Sequence, residues 1–183
     1  MASKNPDRPN VLFILSDDQG PWAMNCAGTD ELKTPNLDRL ASTGVRFENF
    51  FCASPVCSPA RASILTGQMP SQHGVQDFLR GGNSAQLPGD GERIRYLEGR
   101  TTYVQLLRDS GYDCGLSGKW HLGDSVTPQA GFEFWDVHQT GSGDYFNAPM
   151  FKDGESYYAD GYVSDVFTDN AIEYLSSQLS LER

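Results

Sequence analysis

The sequence is poor in cations: 14 Lys and Arg stand against 24 Asp and Glu, a formal net charge of −10 at pH 7 over 183 residues. Proteins that grip a nucleic-acid backbone do so with clustered Lys and Arg, so no nucleic-acid partner is expected. An anionic small-molecule substrate stays open, because a few cations gathered locally suffice to bind one. Cysteine is sparse as well. Cys26, Cys52, Cys57 and Cys114 form no Cys-x-x-Cys pair and no regular framework, so neither a zinc site nor a disulfide scaffold is expected, and the three besides Cys57 read as reduced core thiols. No apolar run is long enough to span a membrane, and no membrane partner is expected. The stretch from Met1 to Asn10 has no apolar segment of the signal-peptide kind; the chain as written reads as cytoplasmic, or as periplasmic or secreted if a leader was removed. Internal repeats, low-complexity tracts and interdomain linkers are also lacking.

What is there suits one globular domain: 38% hydrophobic residues supply a core, and 19 Gly with 10 Pro make it rich in loops. Val11–Leu15 is a continuous apolar run of strand length, the pattern of a strand buried on both faces of a parallel sheet. Ser16 to Gly20 ends it with two adjacent carboxylates, Asp17 and Asp18. On their own these either cap a turn or, lying beyond the carboxyl end of a strand, offer hard oxygen ligands to Ca²⁺ or Mg²⁺. Thr34 to Gly44 predicts a helix with Thr34 as N-cap, Pro35 at N1 and a Gly stop, packing Leu37, Leu40 and Ala41 on the sheet. Val45 to Phe51 predicts a second strand. Thr102 to Ser110 predicts an amphipathic helix stopped by Gly111, Tyr112 to Leu116 a strand, Phe132 to Asp136 with the aromatic stretch through Tyr145, Phe146, Tyr157 and Tyr158 the next strand and a long loop, and Ser164 to Leu179 a closing helix. Arg80 to Gly99, rich in Gly and charge, reads as a surface insertion of the kind that forms a substrate-selecting rim. His73 lies in a loop-like stretch, where a surface or structural histidine is commoner than one lining a pocket.

The most informative stretch is Cys57-Ser58-Pro59-Ala60-Arg61, followed by Ala62 to Gly67. Pro59 suits a first helical turn and Gly67 a left-handed stop, so Cys57 lies at a helix start where N–H groups without intrahelical partners favour an anion. Arg61 adds a permanent cation one turn on. Downstream, Ser117-Gly118-Lys119-Trp120-His121-Leu122-Gly123 follows a predicted strand end, and Lys119 and His121, two apart, point to one side of an extended segment.

Cys-x-Pro-x-Arg leading into Ala-Ser-Ile-Leu-Thr-Gly resembles the signature of the formylglycine-dependent sulfatases. Gly-Lys-Trp-His-Leu-Gly resembles a second block of that family, and Arg8-Pro9-Asn10-Val11 to Asp17-Asp18 its opening strand. The resemblance implies an α/β fold of the alkaline phosphatase-like kind: a mostly parallel sheet flanked by helices on both faces, incomplete, with residues 1–183 as the N-terminal part of a sulfatase catalytic domain. It implies that Cys57 is oxidised to formylglycine and hydrated to a diol, whose one oxygen attacks sulfur to form a covalent sulfate intermediate and whose other hydroxyl expels sulfate. It implies that Asp17, Asp18 and residue 57 hold Ca²⁺, with Mg²⁺ as the alternative. Arg61 and Lys119 would orient the diol and neutralise the sulfate, and His121 would take a proton. The family also uses an Asp and an Asn from a later strand, with a further Lys and His, and no candidate for these occurs here. The expected partner is a sulfate ester, a small molecule or a sulfated carbohydrate, with a missing C-terminal part needed to complete the site. The alternatives are a phosphonate or phosphate monoester hydrolase of the same superfamily, and a non-catalytic fragment that binds a sulfated ligand or a partner.

Overall fold

The computed structural model describes residues 8–82 and 92–180. These fall into two compact units, one within Asn5–Cys52 and one within Ala53–Arg183.

In the N-terminal unit the helix forms where its signals place it, α1 at Pro35–Thr43. Thr34 occupies the N-cap, but its hydroxyl donates to the Asp38 carboxylate at 3.0 Å instead of capping the helix. The two side chains then accept the backbone N–H groups of Asn25 and Cys26 at 2.9 Å, fastening a short 3₁₀ turn at Asn25–Ala27. Two expectations fail in this unit. Val11–Leu15 and Val45–Phe51 form no strand, and Val11 to Leu15 are 44–78% exposed. A doubly buried strand needs neighbours to accept its backbone hydrogen bonds, and among the described residues none pairs with it. Leu37 and Leu40, expected to be covered, are exposed, and within this unit there is no sheet for them to pack on among the described residues. Asp18 takes a left-handed conformation, φ 55°, so the turn that ends the apolar run does form.

The second unit carries the sheet. Its elements are α2 (Cys57–Thr66), α3 (Pro70–His73), α4 (Tyr103–Asp109), β1 (Gly115–Gly118), β2 (Phe134–His138), β3 (Pro149–Lys152), β4 (Glu155–Tyr158) and α5 (Val163–Ser180). The strand order is β1-β2-β3-β4, with β1 and β2 parallel and the remaining pairs antiparallel. The α/β class holds, and the parallel part is the β1–β2 pair. β3 and β4 meet across Asp153-Gly154, both at positive φ as a two-residue primed turn requires.

Alternation along β2 assigns the two faces. Trp135 and Val137 are fully buried in a core shared with Ala62 and Leu65 of α2, Val104 of α4, and Trp120. Trp120 and Trp135 meet edge to face at 5.2 Å. Phe134 and Asp136 turn to the opposite face, where Phe134 stacks on Tyr174 of α5 at 4.5 Å and Asp136 accepts from Tyr157 at 2.7 Å. Helices therefore flank both faces. Gly115 is held close beneath α5, since a Cβ there would meet the Tyr174 ring at 2.6 Å.

Corrections here follow from packing. The first strand of the sheet starts at Gly115, three residues after the predicted Tyr112, because residues 112–114 are a lead-in. Of the cysteines expected in the core only Cys114 is buried; Cys26 is half-buried and Cys52 exposed. The segment read as a surface insertion lies outside the described residues over 83–91, but beyond that it is partly structural. Leu97 is buried, and Arg95 bridges to Gly123.

Candidate active site

The extended residue Val56 feeds directly into α2, so Cys57 is the first helical residue and Pro59 the third. The first intrahelical bond runs from Ala60 N–H to the Val56 carbonyl at 3.0 Å. The N–H groups of Cys57 and Ser58 thus have no acceptor inside the helix, while Pro59 has no N–H to satisfy. Ala62 and Leu65 anchor the helix in the core, and Gly67 at φ 67° ends it. Cys57 is a half-buried free thiol. Ser58 is fully buried, and its hydroxyl accepts the Leu79 N–H at 3.2 Å.

Arg61 joins this helix to the second motif: its Nη1 donates to the carbonyl of Lys119 at 2.7 Å. Lys119 leaves the carboxyl end of β1, the edge where open α/β sheets gather ligands. Trp120 and Leu122 are buried and His121 lies between them with φ 58°. The expectation of an extended Lys119–His121 segment is therefore corrected, because the chain turns at His121. The next residues are fixed from below. Gly123 at φ 89° lies against the Ile94 carbonyl, leaving no room for a Cβ. Asp124, buried, accepts from Arg95 at 3.4 Å, Thr127 at 2.6 Å and the Val126 N–H at 3.0 Å.

The His121 ring is almost fully buried, and its Nε2 lies 2.9 Å from the Leu79 carbonyl. A carbonyl only accepts, so Nε2 carries the proton; in the neutral ring Nδ1 is then the basic nitrogen. Phe78 meets this ring edge-on at 4.6 Å. On its other side the backbone of Gly141 presses so closely that a Cβ would overlap the imidazole.

His138, which the motifs did not single out, ends β2 next to Lys119. Gly118 and Val137 are register partners, and Lys119 and His138 directly follow them. Burial pushes the His138 pKa down, and among smaller effects the Lys119 charge adds to this while Thr140 and Asp144 oppose it. Its Nδ1 lies 3.1 Å from the Thr140 N–H, and Gly143 leaves room for no Cβ against the ring. A histidine two residues beyond the predicted Phe132–Asp136 strand was the available signal. His73 is structural: Nδ1 accepts the Val75 N–H at 3.1 Å, so Nε2 donates to the Ser63 hydroxyl at 3.0 Å. Burial foremost, then Arg100, lowers its pKa.

A cavity of about 320 Å³ opens beside His121, lined by Phe78, Leu79, Arg80, His121 and the 140–142 backbone turn. A larger one of about 470 Å³ lies at Thr66–Gln68, the other end of α2, roughly 15 Å from Cys57 at 1.5 Å rise per residue. Cys57, Arg61, Lys119 and His121 are thus carried by two linked segments of one unit. Asp17 and Asp18 belong to the N-terminal unit. Among the described residues no three His, Cys, Asp or Glu gather closely enough to hold a metal ion, and no helix is long and apolar enough to cross a membrane.

Comparison with known proteins agrees with this arrangement. The Sulfatase family model matches residues 9–182. An N-acetylglucosamine-6-O-sulfatase of Bacteroides thetaiotaomicron is 34% identical over 173 residues, 93% of this chain and 28% of that protein. Human steryl-sulfatase is 37% identical over 137 residues, 72% of this chain and 22% of that protein. A structure solved in complex with its substrate D-glucosamine-2-N,6-O-disulfate superposes with a TM-score of 0.74 at 34% identity, covering 92% of this chain and 31% of the other. The chain thus spans less than a third of the length of these relatives. With both motifs in place on the matched fold, the chain belongs to the sulfatase family.

Proposed function

We propose that the protein carrying this chain hydrolyses sulfate esters of carbohydrates, and that Cys57, Arg61, Lys119 and His121 take part in the reaction. The observation that carries the reading is the Arg61–Lys119 hydrogen bond, which holds the helix starting at Cys57 and the strand-end loop bearing Lys119 and His121 in one fixed relation. The relative named N-acetylglucosamine-6-O-sulfatase and the solved disulfate complex support a sulfated aminosugar as substrate.

Formylglycine made from Cys57 would, once hydrated, supply the nucleophile. The chain's own residues do the rest. The helix start contributes two N–H groups that favour an anion beside residue 57. Lys119 adds an ammonium at the strand end, and Arg61, through the Lys119 carbonyl, sets where that residue sits while contributing its own positive charge. With the proton on Nε2, His121 accepts a second one at Nδ1 and so acts as a base toward a hydroxyl on that side.

The family's metal finds partial support. Asp17 and Asp18 are hard oxygen donors of the type Ca²⁺ or Mg²⁺ takes. Ca²⁺ takes about six to eight oxygens, and no third His, Cys, Asp or Glu gathers with the pair among the described residues. Asp17 and Asp18 would therefore hold only part of its shell, where the cation would polarise the sulfate group.

The experiment is expression of the whole gene product with a formylglycine-generating enzyme. Peptide mass spectrometry should show Cys57 as the aldehyde and Cys26, Cys52 and Cys114 as thiols. The converted protein should hydrolyse N-acetylglucosamine 6-sulfate and not the matching phosphate ester, and Cys57→Ala should abolish that activity. An unmodified Cys57, or preference for the phosphate, would overturn the reading.

A further inference from the structure

We infer that the cavity beside His121 seats the sugar ring that carries the ester, and that Arg80 at its mouth binds a second anionic group on that sugar, a sulfate or a carboxylate. The inference rests on the proposed function at one point: His121, which forms the cavity's inner wall, must belong to the reacting centre.

The cavity has walls of the kinds a charged sugar needs. Phe78, 41% exposed, offers an aromatic surface to the C–H face of a sugar ring. Opposite it runs backbone, because the His121 ring fills the space a side chain at Gly141 would need. The Thr140 hydroxyl donates to the Ser142 carbonyl and fixes that turn, so peptide groups and the exposed Ser142 hydroxyl are presented to the cavity. At about 320 Å³ it stands at the small end of ligand pockets, which run from about 300 to 1,000 Å³. That is room for one sugar unit.

Arg80 gives the cavity its charge preference. It is exposed, lines the cavity, and has no ion-pair partner among the described residues. The chain has a net charge of −10, and Arg80 directly follows Leu79, whose carbonyl and N–H are both bonded to the site through His121 and Ser58, so its backbone is fixed at the cavity and its cation lies within reach of a ligand there. Its planar fork matches a sulfate or carboxylate. The distance from the reacting centre is bridged by the sugar itself: the ester being cleaved lies on the His121 side and the second anion reaches the mouth.

The test compares glucosamine 6-sulfate with glucosamine 2-N,6-O-disulfate as substrates of the formylglycine-bearing whole protein. Arg80→Gln should lower the preference in kcat/KM for the disulfate by about 10- to 100-fold, the worth of one charge-assisted contact, mainly through KM. Arg80→Lys should restore part of it. Arg108→Gln, on an exposed face of α4, should leave the preference unaltered. Calorimetric binding of the disulfate to Cys57→Ala protein should weaken by a similar factor on adding Arg80→Gln. If binding depends on Arg80 but neither sugar is hydrolysed by the wild-type protein, the sulfatase reading fails and the anion site stands. If both sugars are hydrolysed and Arg80→Gln leaves the preference and the binding unaltered, the anion site is wrong and the sulfatase reading stands.

Discussion

Arg61 Nη1 and the Lys119 carbonyl, 58 residues apart in sequence, are joined by a 2.7 Å hydrogen bond. An oxygen that only accepts and a guanidinium that only donates form a pair that no tautomer or rotor ambiguity weakens. Lys119 is therefore placed by α2 as much as by its own strand.

Arg61→Lys tests that relation. Lysine keeps the charge but not the fork, and its ammonium sits on a flexible stem. If the bond places Lys119, Arg61→Lys should cost about 1–2 kcal/mol of stability and lower kcat/KM by about tenfold or more. Denaturant unfolding and steady-state kinetics measure the two. Unchanged values for both would show that charge alone matters at residue 61.

Gly141→Ala should displace the His121 ring, since the added methyl falls where the imidazole lies. The expected cost is about 1–3 kcal/mol, with a fall in kcat larger than that in stability and a shifted pH–rate profile. Gly99→Ala, where a Cβ meets nothing within 4 Å, should bear only the strain of its positive φ. Equal effects of the two substitutions would refute the packing argument.

The buried histidines set an acid limit on stability. His73 and His138 have folded pKa values below the ordinary 6.5, burial being the main cause in each. Below about pH 6.5 the unfolded chain therefore binds more protons than the folded one. Stability should be full above that pH and decline as pH falls, by at most about 1.4 kcal/mol per pH unit for each proton taken up. His73→Gln should flatten the decline between pH 7 and 5.5 in thermal melts; an unaltered slope would mean that His73 does not contribute.

Asp124→Ala should loosen the loop beneath His121. The carboxylate is buried, while its Arg93 and Arg95 partners are nearly half exposed. The ion pairs alone are thus worth little. The larger loss is the Thr127 hydroxyl and Val126 N–H left without their acceptor, for a total of about 2–3 kcal/mol. A loss below about 0.5 kcal/mol, read by denaturant unfolding, would argue against this role.

Elements whose signals are local could be read in advance. The α4 and α5 helices appear within a residue or two of their predicted bounds, because apolar spacing and, in α4, the Thr102 cap belong to the segment itself. The Cys57 helix and its Gly67 stop were likewise legible. Val11–Leu15 was not, because an apolar run becomes a strand only when another segment pairs with it. The β3–β4 hairpin has a local signal in Asp153-Gly154, a dipeptide suited to a primed turn. The turn at His121 and the closeness of Gly141 to its ring depend on contacts between residues 20 apart, which spacing does not encode. The 140–143 turn and the place of Arg80 beside His121 depend on such contacts as well.

The tryptophans divide between the two units in a useful way. Trp22 is largely exposed and is the one tryptophan of the Asn5–Cys52 unit, while Trp120 and Trp135 are buried together 5.2 Å apart in the other. Two coupled indoles held edge to face produce a strong near-ultraviolet circular dichroism band that disappears when their packing loosens, whereas an exposed indole emits at longer wavelength and is open to iodide quenching. The same protein thus carries two separate optical signals, one reporting the core beneath the Lys119–His121 loop and the other the N-terminal unit.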